Sequence, residues 1–196
     1  MAERYEMRLS GEGGQGLVLA GKILAEAAAI YDDKNATQSQ SYGPEARGGA
    51  SKSEVIVADG AIDYPKAENL DLLLALTQEA FDKYHGDLRP GGFLVVDAEA
   101  VTRFPDVSQW KLVPVPFEKL ARERVGKSIV ANIVALGAIV RLSRVVTEQA
   151  AEQAILARVP RGMEDLNRKA FQLGLEAAEQ VPAWAGAPGP RLEGCL

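Results

Sequence analysis

The chain has 196 residues, of which 47% are hydrophobic and 25% are charged, a balance typical of one soluble globular domain. Its formal net charge of −5 argues against a nucleic-acid-binding protein, which normally carries a basic face. No apolar run reaches the ~18–20 residues that a membrane-spanning helix needs, and no signal-peptide core is present near the first Met. We therefore expect a cytoplasmic protein without membrane contact.

Metal-binding and nucleophilic residues are scarce. The chain has one cysteine, Cys195, and one histidine, His85, whereas iron–sulfur clusters and structural zinc typically need about four ligands. The sequence also lacks an evident nucleophile–base pair and a thiamine-binding GDG motif. We predict no metal site and no catalytic residue in this chain, whose expected role is to bind and position a ligand.

Strand-like and helix-like segments alternate along the chain. The predicted strands are 6–10, 34–40, 53–59, 71–76, 93–97 and 111–116, and RPGG at 89–92 is predicted as a turn. The predicted helices are 17–31, 78–88, 117–126, 128–143, 147–159 and 163–181. We predict one domain, 1–181, followed by a Pro/Gly-rich C-terminal tail, 182–196.

This alternation predicts the α/β class, as a three-layer sandwich with a mainly parallel, Rossmann-like sheet and a helical C-terminal part. Ligands of such folds bind at the carboxyl ends of the strands. Two glycine-rich loops, GEGGQG and SYGPEARGG, leave the first two predicted strands. Both loops are therefore expected at the ligand-binding edge.

The first loop, GEGGQG, matches GxGxxG through Gly11, Gly13 and Gly16, and a helix is predicted to begin near Leu17. Bare glycines let backbone N–H groups approach a phosphate, and the positive end of a helix favours an anion there. The alternative is a tight strand-to-helix turn that binds nothing. Whether Glu12 faces a ligand stays open.

Two nucleotide-binding classes fit this loop poorly. A nicotinamide-dependent enzyme needs an acidic residue at the end of the second strand, but that strand ends in Gln38, Ser39 and Gln40. A P-loop NTPase needs GK[ST] after the glycines, which is absent. A stand-alone nucleotide-dependent enzyme is therefore disfavoured.

The second loop holds one arginine among turn-forming residues. Arg47 offers a planar fork that fits phosphate oxygens, Gly48 leaves backbone donors open, and Ser39 and Ser41 could add hydroxyl groups. The alternative is a surface salt bridge between Glu45 and Arg47, which would contribute little to stability.

Asn132 interrupts the apolar helical segment SIVANIVALGAIV. A buried amide needs a hydrogen-bond partner, because an unsatisfied one costs ~1–3 kcal/mol. A structural hydrogen bond to a loop or helix end and a contact with a ligand both remain open.

Several blocks together resemble the gamma subunit of 2-oxoacid:ferredoxin oxidoreductases. They are RLSGEGGQGLVLAGKILAEAA, SQSYGPEARGGASKSEVIV, ENLDLLLALTQEAFDKY, RPGGFLVVDAE and VGKSIVANIVALGAI, and they run in the family's order from about residue 7 to residue 181. The form YGPEARGG is most similar to the 2-oxoglutarate synthase branch.

The resemblance implies a multi-subunit enzyme that decarboxylates a 2-oxoacid and passes electrons to ferredoxin. Its alpha and beta subunits, with or without a delta subunit, would hold thiamine diphosphate, Mg²⁺ and [4Fe-4S] clusters, while this chain would contact coenzyme A. The implied contacts are the pyrophosphate or pantetheine at Gly11, Gly13, Gly14, Gln15 and Gly16, phosphate at Ser39, Ser41, Arg47 and Gly48, and the reactive end near Asn132. A pyruvate, branched-chain 2-oxoacid or indolepyruvate enzyme and a purely structural subunit are the alternatives.

Overall fold

The computed structural model describes residues 4–41 and 50–181. Its centre is one sheet in the order β2-β3-β1-β4-β5-β6. The strands are β1 (Arg4–Glu12), β2 (Asn35–Ser41), β3 (Ala50–Ala58), β4 (Leu70–Ala75), β5 (Leu88–Asp97) and β6 (Lys111–Val115). The α-helices are α1 (Leu17–Glu26), α2 (Gln78–Tyr84), α3 (Phe117–Leu120), α4 (Ala131–Ser143), α5 (Glu148–Arg158) and α6 (Glu164–Gln180).

The sheet is mainly parallel, as predicted. β1, β4, β5 and β6 pair in parallel, whereas β3 is antiparallel to both β1 and β2. Because β3 alone is reversed, β1 and β2 run in the same direction, and their carboxyl ends lie at one edge of the sheet. The prediction that the first glycine-rich loop begins at this edge is confirmed; residues 42–49 of the second loop lie outside the described residues.

Helices cover both faces of the sheet, so the predicted α/β sandwich is confirmed. Side chains alternate along β1, and Met7 and Leu9 belong to the larger core beneath α1, α4, α5 and α6. The smaller core, on the other face, contains Phe81 of α2. None of the helices in the described ranges combines the length and the apolar character that a bilayer crossing requires.

The predicted turn at RPGG, 89–92, is wrong. These residues lie inside β5, and Gly91 N donates to the carbonyl oxygen of Gln109 at 2.7 Å. The register between β4 and β5 shifts between Leu70 and Leu72, so a bulge accommodates the Pro-Gly-Gly segment within the strand. Composition indicated the irregularity but could not show that the strand continues through it.

The helix predicted at 17–31 changes from α-helical to π-helical hydrogen bonding along its length. α1 ends at Glu26, and Ala27–Tyr31 continue with π-helical hydrogen bonds. The segment predicted at 117–126 changes in the same way after α3, at Ala121–Val125. Thr147, where the helix at 147–159 was predicted to begin, caps α5, because its hydroxyl accepts a hydrogen bond from Ala150 N at 3.1 Å. The predicted tail, 182–196, lies outside the described residues.

A buried charged cluster fixes β3 against β1. Arg8 forms salt bridges with Glu54, at 2.7 Å, and with Asp87, and Lys52 reaches the same Glu54 oxygen at 2.8 Å. Burial alone raises the pKa of Glu54, but the hydrogen bonds from Lys52 and Arg8 outweigh it, so this pKa lies below its usual value. The charged carboxylate thus holds two strands and two cations together.

Helices α4 and α6 touch through glycines. A Cβ at Gly174 would fall on the carbonyl oxygen of Val134 and lie 3.0 Å from Gly137 Cα. The two backbones are therefore too close for any side chain at this crossing, and α6 packs directly on the apolar α4.

We expect Gly174→Ala to lower the free energy of unfolding by about 1–3 kcal/mol, because the added methyl group must push the helices apart. Urea unfolding measures this loss. Gly86→Ala is the control, since a Cβ there would meet nothing within 4 Å. Equal stabilities for the two variants would contradict the close packing of α4 and α6.

Candidate functional site

The first glycine-rich loop is shorter than its sequence pattern. β1 continues through Glu12, so Gly11 and Glu12 belong to the strand, and α1 begins at Leu17 as predicted. Gly16 precedes α1 with φ 75° and Gly14 has φ 95°, conformations that favour glycine. The loop between β1 and α1 is therefore Gly13–Gly16, in which Gly13 and Gly14 are exposed and Gln15 and Gly16 are half-buried.

Internal hydrogen bonds hold this loop closed. The side-chain oxygen of Gln15 accepts from Glu12 N at 2.7 Å, and Gln15 N donates back to the Glu12 carbonyl oxygen at 3.3 Å. Leu76 N donates to the carbonyl oxygen of Ser10 at 2.9 Å, which joins the ends of β1 and β4. Gly13 N and Gly14 N donate to no acceptor within the described residues.

Asn132 supports the loop from below. It is 6% exposed, and its Nδ2 donates to the carbonyl oxygen of Gly16 at 3.2 Å. The structural hydrogen bond that the sequence left open is therefore present. The same contact fixes the beginning of α1 against α4.

Two clefts meet at the loop, and Gly14 lines both. The first, which we name the Ile129 cleft, has a volume of about 280 Å³. It lies at the carboxyl edge of the parallel strands, where ligands of this fold class bind. Its lining residues are Gly14, Gln15, Leu76, Asp97, Ala100, Phe117, Glu118, Ser128, Ile129 and Ala131.

The second, which we name the Lys22 cleft, has a volume of about 410 Å³ and lies beside α1. Its lining residues are Glu12, Gly13, Gly14, Gly16, Leu17, Val18, Leu19, Lys22, Ser51 and Arg158. Glu12 therefore lines this cleft and is absent from the lining of the other.

The charges around the two clefts differ. Asp97 brings a carboxylate to the Ile129 cleft, and its oxygens accept from the backbone N–H groups of Glu99, Ala100 and Glu118 at 2.9 to 3.2 Å. In the Lys22 cleft, Arg158 is bound to Glu26.

The hydrogen bond from Arg158 holds the pKa of Glu26 below its usual value, and the positive charge of Lys22 lowers this pKa further. Lys22 itself forms no salt bridge with the described carboxylates. Its ammonium group is therefore the cation of this cleft that has no salt bridge to a described carboxylate.

The predicted site residues divide into four groups. Gly13, Gly14, Gln15 and Gly16 line the two clefts, and Asn132 lies directly beneath them. The others are distributed as follows: Gly11 lies within β1 and lines neither cleft, Ser39 and Ser41 are exposed on β2 and line neither cleft, and Arg47 and Gly48 lie outside the described residues.

The sequence predictions missed the residues that give each cleft its character. Lys22 looked like an ordinary solvent-facing position of an amphipathic helix, and nothing in the sequence separated it from other lysines. Asp97 carried a signal, because it ends a buried parallel strand. Ile129 is 77% exposed, which the apolar run around it could not show.

The added cost of a side chain at Gly16 tests the contact with Asn132. We expect Gly14→Ala to lower the free energy of unfolding by about 1–2 kcal/mol. Backbone strain is the only cause, because its Cβ would meet nothing within 4 Å. Gly16→Ala should cost roughly 1–3 kcal/mol more, because its Cβ would lie 3.0 Å from Asn132 Cγ. Urea unfolding of both variants measures the difference.

A second substitution isolates the cause. In an Asn132→Ala background the amide that the new methyl group meets is gone, so the extra cost of Gly16→Ala should disappear. An extra cost that persists unchanged in this background would contradict the contact.

Comparison with known proteins identifies the family. Residues 6–177 match the family described as pyruvate ferredoxin/flavodoxin oxidoreductase. The 2-oxoglutarate synthase subunit KorC of Methanocaldococcus jannaschii is 50% identical over 182 residues, which cover 91% of this chain and 96% of that protein. KorC of Methanothermobacter thermautotrophicus is 46% identical over 178 residues, covering 88% and 94%.

A solved structure shares both sequence and fold. The keto/oxoacid ferredoxin oxidoreductase gamma subunit from Geobacter sulfurreducens is 57% identical, with a TM-score of 0.84, covering 90% of this chain and 97% of that one. The match to the family extends over nearly all of the described residues. The chain therefore belongs to the pyruvate ferredoxin/flavodoxin oxidoreductase family.

Proposed function

We propose that this chain is the gamma subunit of a 2-oxoglutarate:ferredoxin oxidoreductase, in which it binds and positions coenzyme A. The complex would convert 2-oxoglutarate and coenzyme A into succinyl-CoA and CO₂, reversibly, while two electrons pass to ferredoxin. The chain itself would supply binding and orientation, and its partners would supply the redox chemistry.

The observation that best supports ligand binding is the bare backbone at Gly13 and Gly14. Their N–H groups donate to no described acceptor, and a Cβ at either position would meet nothing within 4 Å. Open donors without side chains suit an oxygen-rich ligand that approaches the main chain closely. The position at the carboxyl edge of the sheet, between two clefts, supports the same role.

The identity of the substrate rests on the relatives. Two of them, at 46 and 50% identity over almost their whole length, are named 2-oxoglutarate synthase subunits, which supports 2-oxoglutarate over pyruvate, branched-chain 2-oxoacids and indolepyruvate. Coenzyme A is the acyl acceptor that succinyl-CoA formation requires, so the enzyme needs a site for it.

The remaining cofactors are assigned to partner subunits. The two KorC relatives are named as subunits, which supports a multi-subunit complex for this chain. We propose that alpha and beta subunits, with or without a delta subunit, hold thiamine diphosphate, Mg²⁺ and the [4Fe-4S] clusters and exchange electrons with ferredoxin. These groups would supply decarboxylation and electron transfer when bound, and this chain would present the acceptor to them.

The geometry of the clefts supports some of the proposed coenzyme A contacts and does not bear on others. Gly13, Gly14, Gln15 and Gly16 line the clefts. Asn132 would act through Gly16, as a positioning residue, rather than by touching the ligand. The phosphate contacts proposed for Ser39, Ser41, Arg47 and Gly48 rest on the sequence and on the resemblance alone.

Gly13→Ala separates ligand contact from stability. Its methyl group would meet nothing within 4 Å in the free chain, so the free energy of unfolding should stay close to that of the wild type. A ligand lying on the loop backbone would be obstructed, and the apparent KM for coenzyme A should rise about tenfold or more, equivalent to about 1.4 kcal/mol. Steady-state kinetics of the purified complex measures this, with Gly86→Ala as the control.

Other results would change the account. An unchanged KM for coenzyme A in Gly13→Ala would contradict ligand binding at this loop. A complex that falls apart in Gly13→Ala, while Gly86→Ala assembles normally, would favour the structural alternative, in which the loop grips a neighbouring subunit.

A further inference from the structure

The described chain ends beside an apolar groove, between β6 and α6. We propose that the indole of Trp184, three residues beyond Val181, docks in this groove and anchors the tail 182–196 to the domain. This inference is independent of the proposed function, because the groove shares no lining residue with the two clefts at the glycine-rich loop.

The groove, which we name the β6 groove, has a volume of about 290 Å³. Leu120, Leu173, Ala177 and Val181 pack against the larger core and also line the groove. Among the described residues, every lining residue except Val115 is half-buried or exposed, so part of this apolar wall faces water. The other lining residues are Pro114, Val115, Pro116, Arg124, Glu176 and Gln180.

The prolines of the groove favour a docked side chain over an added strand. β6 is at the edge of the sheet and pairs with β5 on its other side. Pro114 lies in β6 and Pro116 directly follows it, and prolines of an edge strand lie where the missing N–H would face away from the sheet. An incoming strand would find no donor at either position, whereas a side chain that fills the groove needs none.

The path of the chain brings an indole to this groove. Val181 ends α6 in an extended conformation, with φ −87° and ψ 116°, as expected before Pro182. Trp184 is the only aromatic residue of the tail, and at most ~10 Å of extended chain separates its Cα from that of Val181. A group on so short a tether has an effective concentration on the order of millimolar, which favours it over a separate occupant.

The chemistry of the segment matches that of the groove. Residues 182–190 carry no charge, so their burial requires no charge to be desolvated. A docked tryptophan can bury about 150–250 Å² of its surface. At the rim, the guanidinium of Arg124 can stack on an indole face, and the side-chain oxygens of Glu176 and Gln180 are acceptors for the indole N–H.

Fluorescence of the full-length chain tests whether Trp184 is docked. The chain has two tryptophans, and Trp110 is buried, with its Nε1 donating to the carbonyl oxygen of Leu88 at 3.1 Å. Subtracting the emission of Trp184→Phe from that of the wild type isolates Trp184. We expect its emission at a shorter wavelength than that of N-acetyltryptophanamide and its quenching by acrylamide to be several-fold weaker.

Ala177→Lys tests whether the β6 groove is the docking site. A charged side chain in the groove should shift the Trp184 emission to longer wavelength and increase its quenching. Gln172→Lys, at an exposed residue of α6 outside the groove, is the control and should change neither. In urea unfolding, Trp184→Ser and Ala177→Lys together should cost less than the sum of their separate effects, because both remove the same contact.

Three results would overturn the proposal. The first is a Trp184 that emits and is quenched like N-acetyltryptophanamide in the full-length chain. The second is a shielded Trp184 that Ala177→Lys leaves unchanged, which would place the indole outside the groove. The third is a Trp184 that is exposed in the chain alone while Ala177→Lys, but not Gln172→Lys, releases the chain from its purified complex, which would make the groove a contact with a partner subunit.

Discussion

The hydrogen bond from Asn132 to the carbonyl oxygen of Gly16 is the contact on which the site depends. It joins the buried helix α4 to the residue at which the chain turns from β1 into α1. Because α4 is itself pressed against α6 at Gly137 and Gly174, the loop rests on a packed support. Gly13 and Gly14 can then stay bare and open without the loop collapsing, which is what a binding site made of backbone requires.

Among the described residues, most cations near the loop are already paired with carboxylates. Arg8 and Lys52 are committed to Glu54, and Arg158 is committed to Glu26. Lys22 is thus distinguished by its lack of a described partner, not by its position alone. A site that must attract an anion, in a chain with a net charge of −5, depends strongly on each cation that remains available.

The spacing of hydrophobic residues predicted most of the strands and helices, but not the order and direction of the strands in the sheet. The strands, the start of α1 at Leu17 and the Thr147 cap follow from local patterns. The reversal of β3 does not follow from a local pattern. The length of the connection did carry a hint, because the 8 residues between Ser41 and Ala50 are fewer than a parallel crossover needs. That reversal places β3 between β1 and β2, so the second strand cannot supply a ribose-binding acid beside the loop. The partner of Asn132 lies 116 residues away, a distance over which sequence patterns carry no information about contacts.

The most direct test of the account is to purify the chain with its natural partners under anaerobic, non-denaturing conditions and to measure coenzyme A-dependent dye reduction with 2-oxoglutarate, pyruvate and indolepyruvate. The account predicts a complex that carries thiamine diphosphate and iron–sulfur clusters and that is active with 2-oxoglutarate only when coenzyme A is present. A chain that purifies alone and inactive under conditions that preserve such complexes, or a complex whose activity is independent of coenzyme A, would contradict it.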